Sequence, residues 1–247
     1  MSLRLPLMYL RYMLVLFSII TLVVSVSFHG SANAISTSLN DEFSVGYKLK
    51  PMHYSPDGKW LGKWNGHGII TTAQDPLSKS GSMLLQPKPA TSRSATHSAL
   101  VVSTKQFQNF QLTADVKIDK QLRQNSKPNS WESGWILWHY NDPTHHYYLA
   151  LKTNGPEVGK YDGGANPLSQ VILKTKSSPR AHVGQWNHVE LKVTGNHIVA
   201  VIDGVKSIDF YDNSSFSSGD VALYSEDAKV SFDNVHVTSL APAFSYS

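Results

Sequence analysis

The chain is 247 residues long, 41% hydrophobic and 16% charged, and it contains no cysteine. That length suffices for one large all-β domain held together by burial alone, and the missing thiols exclude a disulfide framework, a thiolate metal site and a cysteine nucleophile. The formal net charge of +4 comes from basic residues scattered along the chain, which argues against nucleic acid as a partner.

Arg4 and Arg11 flank the start of an apolar run, residues 12–26, and Ala32-Asn33-Ala34 has the small-x-small pattern that a signal peptidase accepts. Residues 1–34 therefore read as a signal peptide. An uncleaved anchor is the alternative, because the run falls only slightly short of the roughly 17–25 residues that span a bilayer. Membrane contact is expected through this segment alone. Residues 35–247, with a net charge of +2 once Arg4 and Arg11 are lost, are expected to be secreted or at an extracytoplasmic surface.

From there the pattern is of short strands divided by turn residues. The first begins at Asp41-Glu42-Phe43; residues 54–59 (YSPDGK) form a turn ahead of Trp60 and Trp64, and residues 66–68 a bend. Residues 78–82 look like a loop, 83–86 a short strand, and 87–98 a Ser/Thr/Pro-rich connection without apolar period. Residues 99–103 resume the sheet, 110–118 alternate with Leu112, Ala114, Val116 and Ile118 inward, and 119–130 are a polar loop. Further strands are expected over 134–140, 145–152, 157–161 and 171–175. Residues 184–193 and 198–204, joined at Gly195-Asn196, form a hairpin that pairs Val193 with Ile198 and Val189 with Ile202; Asp203-Gly204 then leads into 205–211. Strands over 219–225 and 229–238 close the series. About a dozen short strands spaced by turns predict an all-β, two-sheet antiparallel sandwich or jelly roll in a single domain, residues 35–247.

Residues 107–116 (FQNFQLTADV), 132–137 (ESGWIL), 185–192 (QWNHVELK), 202–204 (IDG) and 221–237 (VALYSEDAKVSFDNVHV) resemble the concanavalin A-like lectin/glucanase superfamily. Within it the pattern is similar to the laminin-G-like and 3-keto-disaccharide hydrolase group. These motifs are structural, so they imply the jelly roll strongly and an activity weakly.

Residues 131–164 are rich in aromatics and histidines. If Asn141 to Thr144 form a turn that pairs Tyr140 with His145, one face of the hairpin collects Ile136, Trp138, Tyr140, Tyr147, Leu149 and Leu151 as core. The other collects Trp135, His139, His146, Tyr148 and Lys152, and a turn at Asn154-Gly155 sets Glu157 beside Lys152. An indole, imidazoles, a phenol and paired charges supply what a glycan needs, a flat apolar surface and directional hydrogen-bonding groups. The alternative is a solvated sheet surface. The resemblance implies a glycan on the concave sheet. His139 and His146 lack the further ligands of a transition-metal site.

The three-carboxylate strand motif of family 16 glucanases, Glu-x-Asp-x-Glu, is absent. Asp41-Glu42 and Glu226-Asp227 fall at an expected strand start and an expected turn. Glu157 is the one carboxylate expected on the aromatic face, with Glu132 near its rim, and the resemblance gives Glu157 an acid/base role; the alternative is a cross-strand pair with Lys152. The resemblance also implies a structural calcium where first and last strands meet, with Asp41 and Asp233 as oxygen donors, and no organic cofactor. Three functions follow as expectations: a glycan-binding module, a 3-keto-disaccharide hydrolase-like glycosidase, or a non-catalytic surface interaction domain. The last would show Trp135 and Tyr148 packed under a loop instead of exposed.

Overall fold

The structure, a computed structural model, describes residues 37–44, 46–74, 81–163, 170–213 and 216–241. The expected signal peptide, residues 1–34, lies outside the described residues. Fifteen strands follow in order: β1 (Ser38–Asp41), β2 (Trp60–Trp64), β3 (Ile69–Gln74), β4 (Gly81–Gln86), β5 (Ser98–Phe107), β6 (Phe110–Gln121), β7 (Gly134–Asp142), β8 (His145–Ala150), β9 (Glu157–Asp162), β10 (Gln170–Thr175), β11 (Trp186–Thr194), β12 (His197–Ile202), β13 (Val205–Tyr211), β14 (Gly219–Glu226) and β15 (Ala228–Ser239). No helix occurs among the described residues.

The strands form two antiparallel sheets. The first runs β13-β12-β11-β6-β15-β4-β3, with β1 beside β15; the second runs β10-β9-β8-β7-β14-β5-β2. This is the jelly-roll sandwich that the turn spacing predicts. The β11–β12 hairpin has the expected register, Val193 opposite Ile198 and Val189 opposite Ile202, and Gly195 takes the positive φ, +58°, at its turn. β6 pairs with β11 so that Leu112 meets Leu191 and Ala114 meets Val189, which puts every inward side chain of both strands into one core. β3 is a strand that the sequence reading left unassigned, and β5 extends well beyond residues 99–103.

Each sheet contributes one face to the core. Val116, Leu191, Val230 and Phe232 of the first sheet pack against Val101, Ile136, Trp138, Leu149 and Leu223 of the second. The second sheet carries another apolar cluster on its opposite face, built from Leu100, Val102, Trp135, Leu137, Tyr140, Tyr148, Ala150 and Ala222. β7 is consequently buried over its first seven residues, whereas β11 alternates buried and exposed.

Candidate functional site

The β7–β8 hairpin sets the outer face of the second sheet. Ile136 lies opposite Leu149, Leu137 opposite Tyr148 and Trp138 opposite Tyr147, as the spacing predicts. Beyond Trp138 the expected register fails: Asp142, not Tyr140, lies opposite His145, across a bulge. The cause is the turn. Asp142 Oδ1 accepts hydrogen bonds from the Thr144 N–H and the Thr144 hydroxyl, both at 2.7 Å, and Pro143 presets φ, so the chain reverses at Pro143-Thr144 alone. The two extra residues are absorbed where His139 adopts φ +47°.

The bulge exchanges two side chains. His139, expected on the open face, turns into the core, where its ring stands edge-on to Phe110 and Tyr147 at 6.0 and 6.2 Å and its Nε2 donates to the Gln108 carbonyl at 2.9 Å. Burial lowers its pKa. Tyr140, expected in the core, takes the place on the outer face. His146 keeps its expected side: it stacks on Tyr161 at 4.9 Å, its Nδ1 donates to the Asp142 carbonyl at 3.1 Å, and burial pushes its pKa down to about 4.

Trp135 and Tyr148 are the floor of the site. Trp135 is 5% exposed and Tyr148 fully buried; their rings lie 4.8 Å apart and Tyr224 packs on the other side of Trp135 at 5.2 Å. The Trp135 indole N–H donates to the Trp131 carbonyl at 3.0 Å. Tyr148 lies across its strand neighbour Gly159, where a Cβ would come within 2.1 Å of the phenol oxygen. A ring lying over a glycine covers the sheet instead of standing out from it. Above this floor Trp131 is 45% exposed, and Trp64, Tyr161 and Tyr224 are half-buried.

Two adjoining clefts result. One, of about 200 Å³, is lined by Trp64, Leu100, Leu137, Tyr140, Pro143 and His146 together with Trp135, Tyr161 and Tyr224. The other, of about 390 Å³, shares Trp135 and Tyr161 and adds Trp131, Lys152, Glu157, Gln170 and Glu226. Lys152 and Glu157 form the expected ion pair, Nζ to Oε2 2.5 Å, and the Tyr148 hydroxyl donates to Glu157 Oε1 at 3.2 Å while accepting from Gln170 Nε2 at 2.5 Å. Five of the six expected site residues, Trp135, His146, Tyr148, Lys152 and Glu157, are thus brought together on one face.

Glu226 is the residue that sequence reading missed. It ends β14, accepts a hydrogen bond from the Tyr224 hydroxyl at 2.8 Å, and is pushed up to about 7 by burial and by the nearby Asp227 and Glu132 carboxylates, against Tyr224 and Arg123. Its signal was strand parity: Ala222, Tyr224 and Glu226 follow at intervals of two and share a face. Glu132, expected near the rim, is instead fully buried and bonds the Arg123 guanidinium. Arg123 also donates to the Ser92 and Ala95 carbonyls at 2.6 and 3.2 Å and to Asp227 Oδ2 at 2.8 Å. This buried cluster ties the connections before β5 and after β6 to Asp227 at the β14–β15 turn, next to Glu226 in sequence.

Asp41 and Asp233 are both engaged within the fold. Asp41 Oδ2 accepts the Trp60 indole N–H at 2.8 Å and its Oδ1 the Phe43 amide at 2.9 Å, so the carboxylate clips β2 to β1. Asp233 Oδ1 accepts the Asn234 amide at 2.7 Å. Calcium asks for six or more oxygens, and among the described residues no group of three acidic, histidine or cysteine side chains converges as metal ligands.

Residues 53–238 match the family described as the 3-keto-alpha-glucoside-1,2-lyase-like domain. No curated protein matches the chain in sequence. Among solved structures it is similar to the carbohydrate-binding module CBM66 from Bacillus subtilis, with a TM-score of 0.53 and 19% identity over 72% of this chain and 93% of that one. It is also similar to the exoplasmic/lumenal domain of VIP36 in its Ca2+/Man3GlcNAc-bound form, with a TM-score of 0.53 and 9% identity over 84% of this chain and 93% of that one. At these identities the likeness is one of fold.

Proposed function

The chain belongs to the 3-keto-alpha-glucoside-1,2-lyase-like family, and from that premise we propose that it recognises and processes a glycan on the outer face of its second sheet. The observation that carries the reading is that Glu157 and Glu226 line one cleft beside the exposed Trp131 in unlike surroundings. Glu157 is ion-paired with Lys152, whereas Glu226 has no cation at hydrogen-bond distance among the described residues and is pushed up to about 7. Carboxyls whose environments differ in this way divide acid and base work between them.

The chemistry suits a 3-keto glycoside. Its C2–H bond lies next to a carbonyl, so a base can remove the proton; the resulting electron pair expels the C1 oxygen, which takes up a proton and leaves as an alcohol, with the sugar released as an enone. Glu226, titrating near neutrality, is matched to taking the C2 proton. Lys152 supplies a cation for the charge that grows on the C3 oxygen, and Glu157, the acid/base residue expected from the sequence, holds that cation and is the second carboxyl available to the departing oxygen. Trp131 offers the sugar a stacking face. The N-terminal pattern of residues 1–34 supports export, which would put the site where extracellular glycans are met.

Kinetics on 3-keto-trehalose test the proposal. Glu226→Gln should lower kcat by about 10²–10⁴-fold with KM little changed, the pattern of a group needed only in the transition state. Full turnover in both Glu226→Gln and Glu157→Gln would overturn the processing role. Binding without turnover by the wild-type protein would leave a lectin-type module. A surface interaction domain is the second reading, favoured by the burial of Trp135 and Tyr148; NMR titration decides it, since oligosaccharides that leave the Trp131 indole signal unmoved would speak for that reading.

A further inference from the structure

The two clefts differ in what they can satisfy. In the smaller one both indole N–H groups are already engaged: Trp64 donates to Ser98 Oγ at 2.9 Å and Trp135 to the Trp131 carbonyl at 3.0 Å. His146 Nδ1 donates to Asp142 and the Tyr224 hydroxyl to Glu226. Leu100, Leu137 and Pro143 bring no polar side-chain atoms. The Tyr140 and Tyr161 hydroxyls and His146 Nε2 are the other polar side-chain atoms of its lining, so a sugar ring placed there would leave several of its hydroxyls without partners, which is unfavourable wherever water is excluded. The cleft also carries no formal charge near neutral pH, since burial keeps His146 uncharged and the Tyr140 phenol protonated. The larger cleft, by contrast, holds Lys152, Glu157, Gln170 and Glu226.

Resting on the glycan reading above, we propose that the smaller cleft is an aglycone subsite and that the favoured ligand is a glycoside bearing a flat, uncharged aryl group, its sugar in the larger cleft. The clefts share Trp135 and Tyr161, so one molecule spans both across a single glycosidic bond. The size agrees. An apolar cavity of about 150 Å³ accommodates benzene, and this cleft is about 200 Å³, room for one or two fused rings. The surrounding Trp135, Tyr140, Tyr161 and Tyr224 rings present the faces and edges that an aryl group packs against.

The test compares 4-nitrophenyl and methyl α-D-glucosides, each oxidised at C3, by stopped-flow tryptophan fluorescence, which reads binding before turnover. The aryl glucoside should bind about tenfold or more tightly and quench Trp64 and Trp135. Trp64→Ala, at the half-buried edge, and Leu137→Gln, on the floor, should bring the aryl-to-methyl ratio toward one, while Trp131→Ala should weaken both glucosides and preserve the ratio. Equal affinity for the two in the wild-type protein, or a ratio untouched by both subsite variants, would overturn the aglycone subsite and leave the glycan reading standing. Failure of both glucosides to bind the folded wild-type protein would overturn the glycan reading with it.

Discussion

The two sheets share a core but treat their outer faces oppositely. On the first sheet the outward residues of β11 are exposed and make surface contacts, such as His188 to Asp115 at 2.6 Å and Lys117 over the Trp186 ring at 4.6 Å. On the second, the outward residues of β7 and β8 are buried among themselves. The same antiparallel scaffold therefore gives one face that water covers and one face organised as a layer of aromatic rings. The difference teaches that the surface proposed as the glycan site is a part of the fold's packing, so its floor should behave as core and only its rim as a ligand contact.

Urea unfolding of paired tryptophan variants gives the largest contrast. Trp135→Ala should cost about 3–5 kcal/mol, as a buried core truncation does, whereas Trp186→Ala, 38% exposed, should stay within about 1 kcal/mol. Similar losses at both positions would break the comparison. The pH dependence of stability should come next. His146 is held near 4 in the folded protein against about 6.5 unfolded, so the unfolded chain binds the extra proton as pH falls between these values. His146 should therefore take about 3 kcal/mol out of stability from pH 6.5 to pH 4, with His139 adding in the same direction, while Glu226, pushed up to about 7, gains over the same range and opposes them; the difference between wild type and His146→Asn isolates the His146 share.

Gly159→Ala should cost about 1–3 kcal/mol through overpacking against Tyr148. Much of that cost should disappear in a Tyr148→Ala background, a coupling that a double-mutant cycle measures. The smallest effect is expected on the first sheet: His188→Ala removes an exposed pair and should change stability by less than about 1 kcal/mol. A larger loss there would mean that its outer face is structural too.

Legibility in the sequence followed the same division. The β11–β12 register was readable because one face meets water, and a slip of one residue would bury His188 and Lys192 and expose Val189 and Leu191. The first half of the β7–β8 pairing was readable for the same kind of reason at Ile136, Trp138, Tyr147 and Leu149. Past Trp138 the pattern gave no warning, since a bulge leaves no mark in hydrophobicity when both faces are buried. His139 and Tyr140 were exchanged as a result. Glu226 was hidden differently: its strand parity was visible, but its neighbour Asp227 suggested a turn, and that turn proved to begin one residue later.

By itself the sequence determined the sandwich and the β11–β12 register next to solvent, and it singled out residues 131–164 as rich in aromatics and histidines, because alternation, turn chemistry and composition are local properties. Only the tertiary structure decided that Trp135 and Tyr148 are floor, that Trp131 and Tyr161 are surface, and that Glu157 and Glu226, from β9 and β14, face one cleft. Those outcomes depend on which strands become neighbours and on which side chains cover which, and the pairing of β14 with β7, distant in sequence, is set by the packing of the whole sheet.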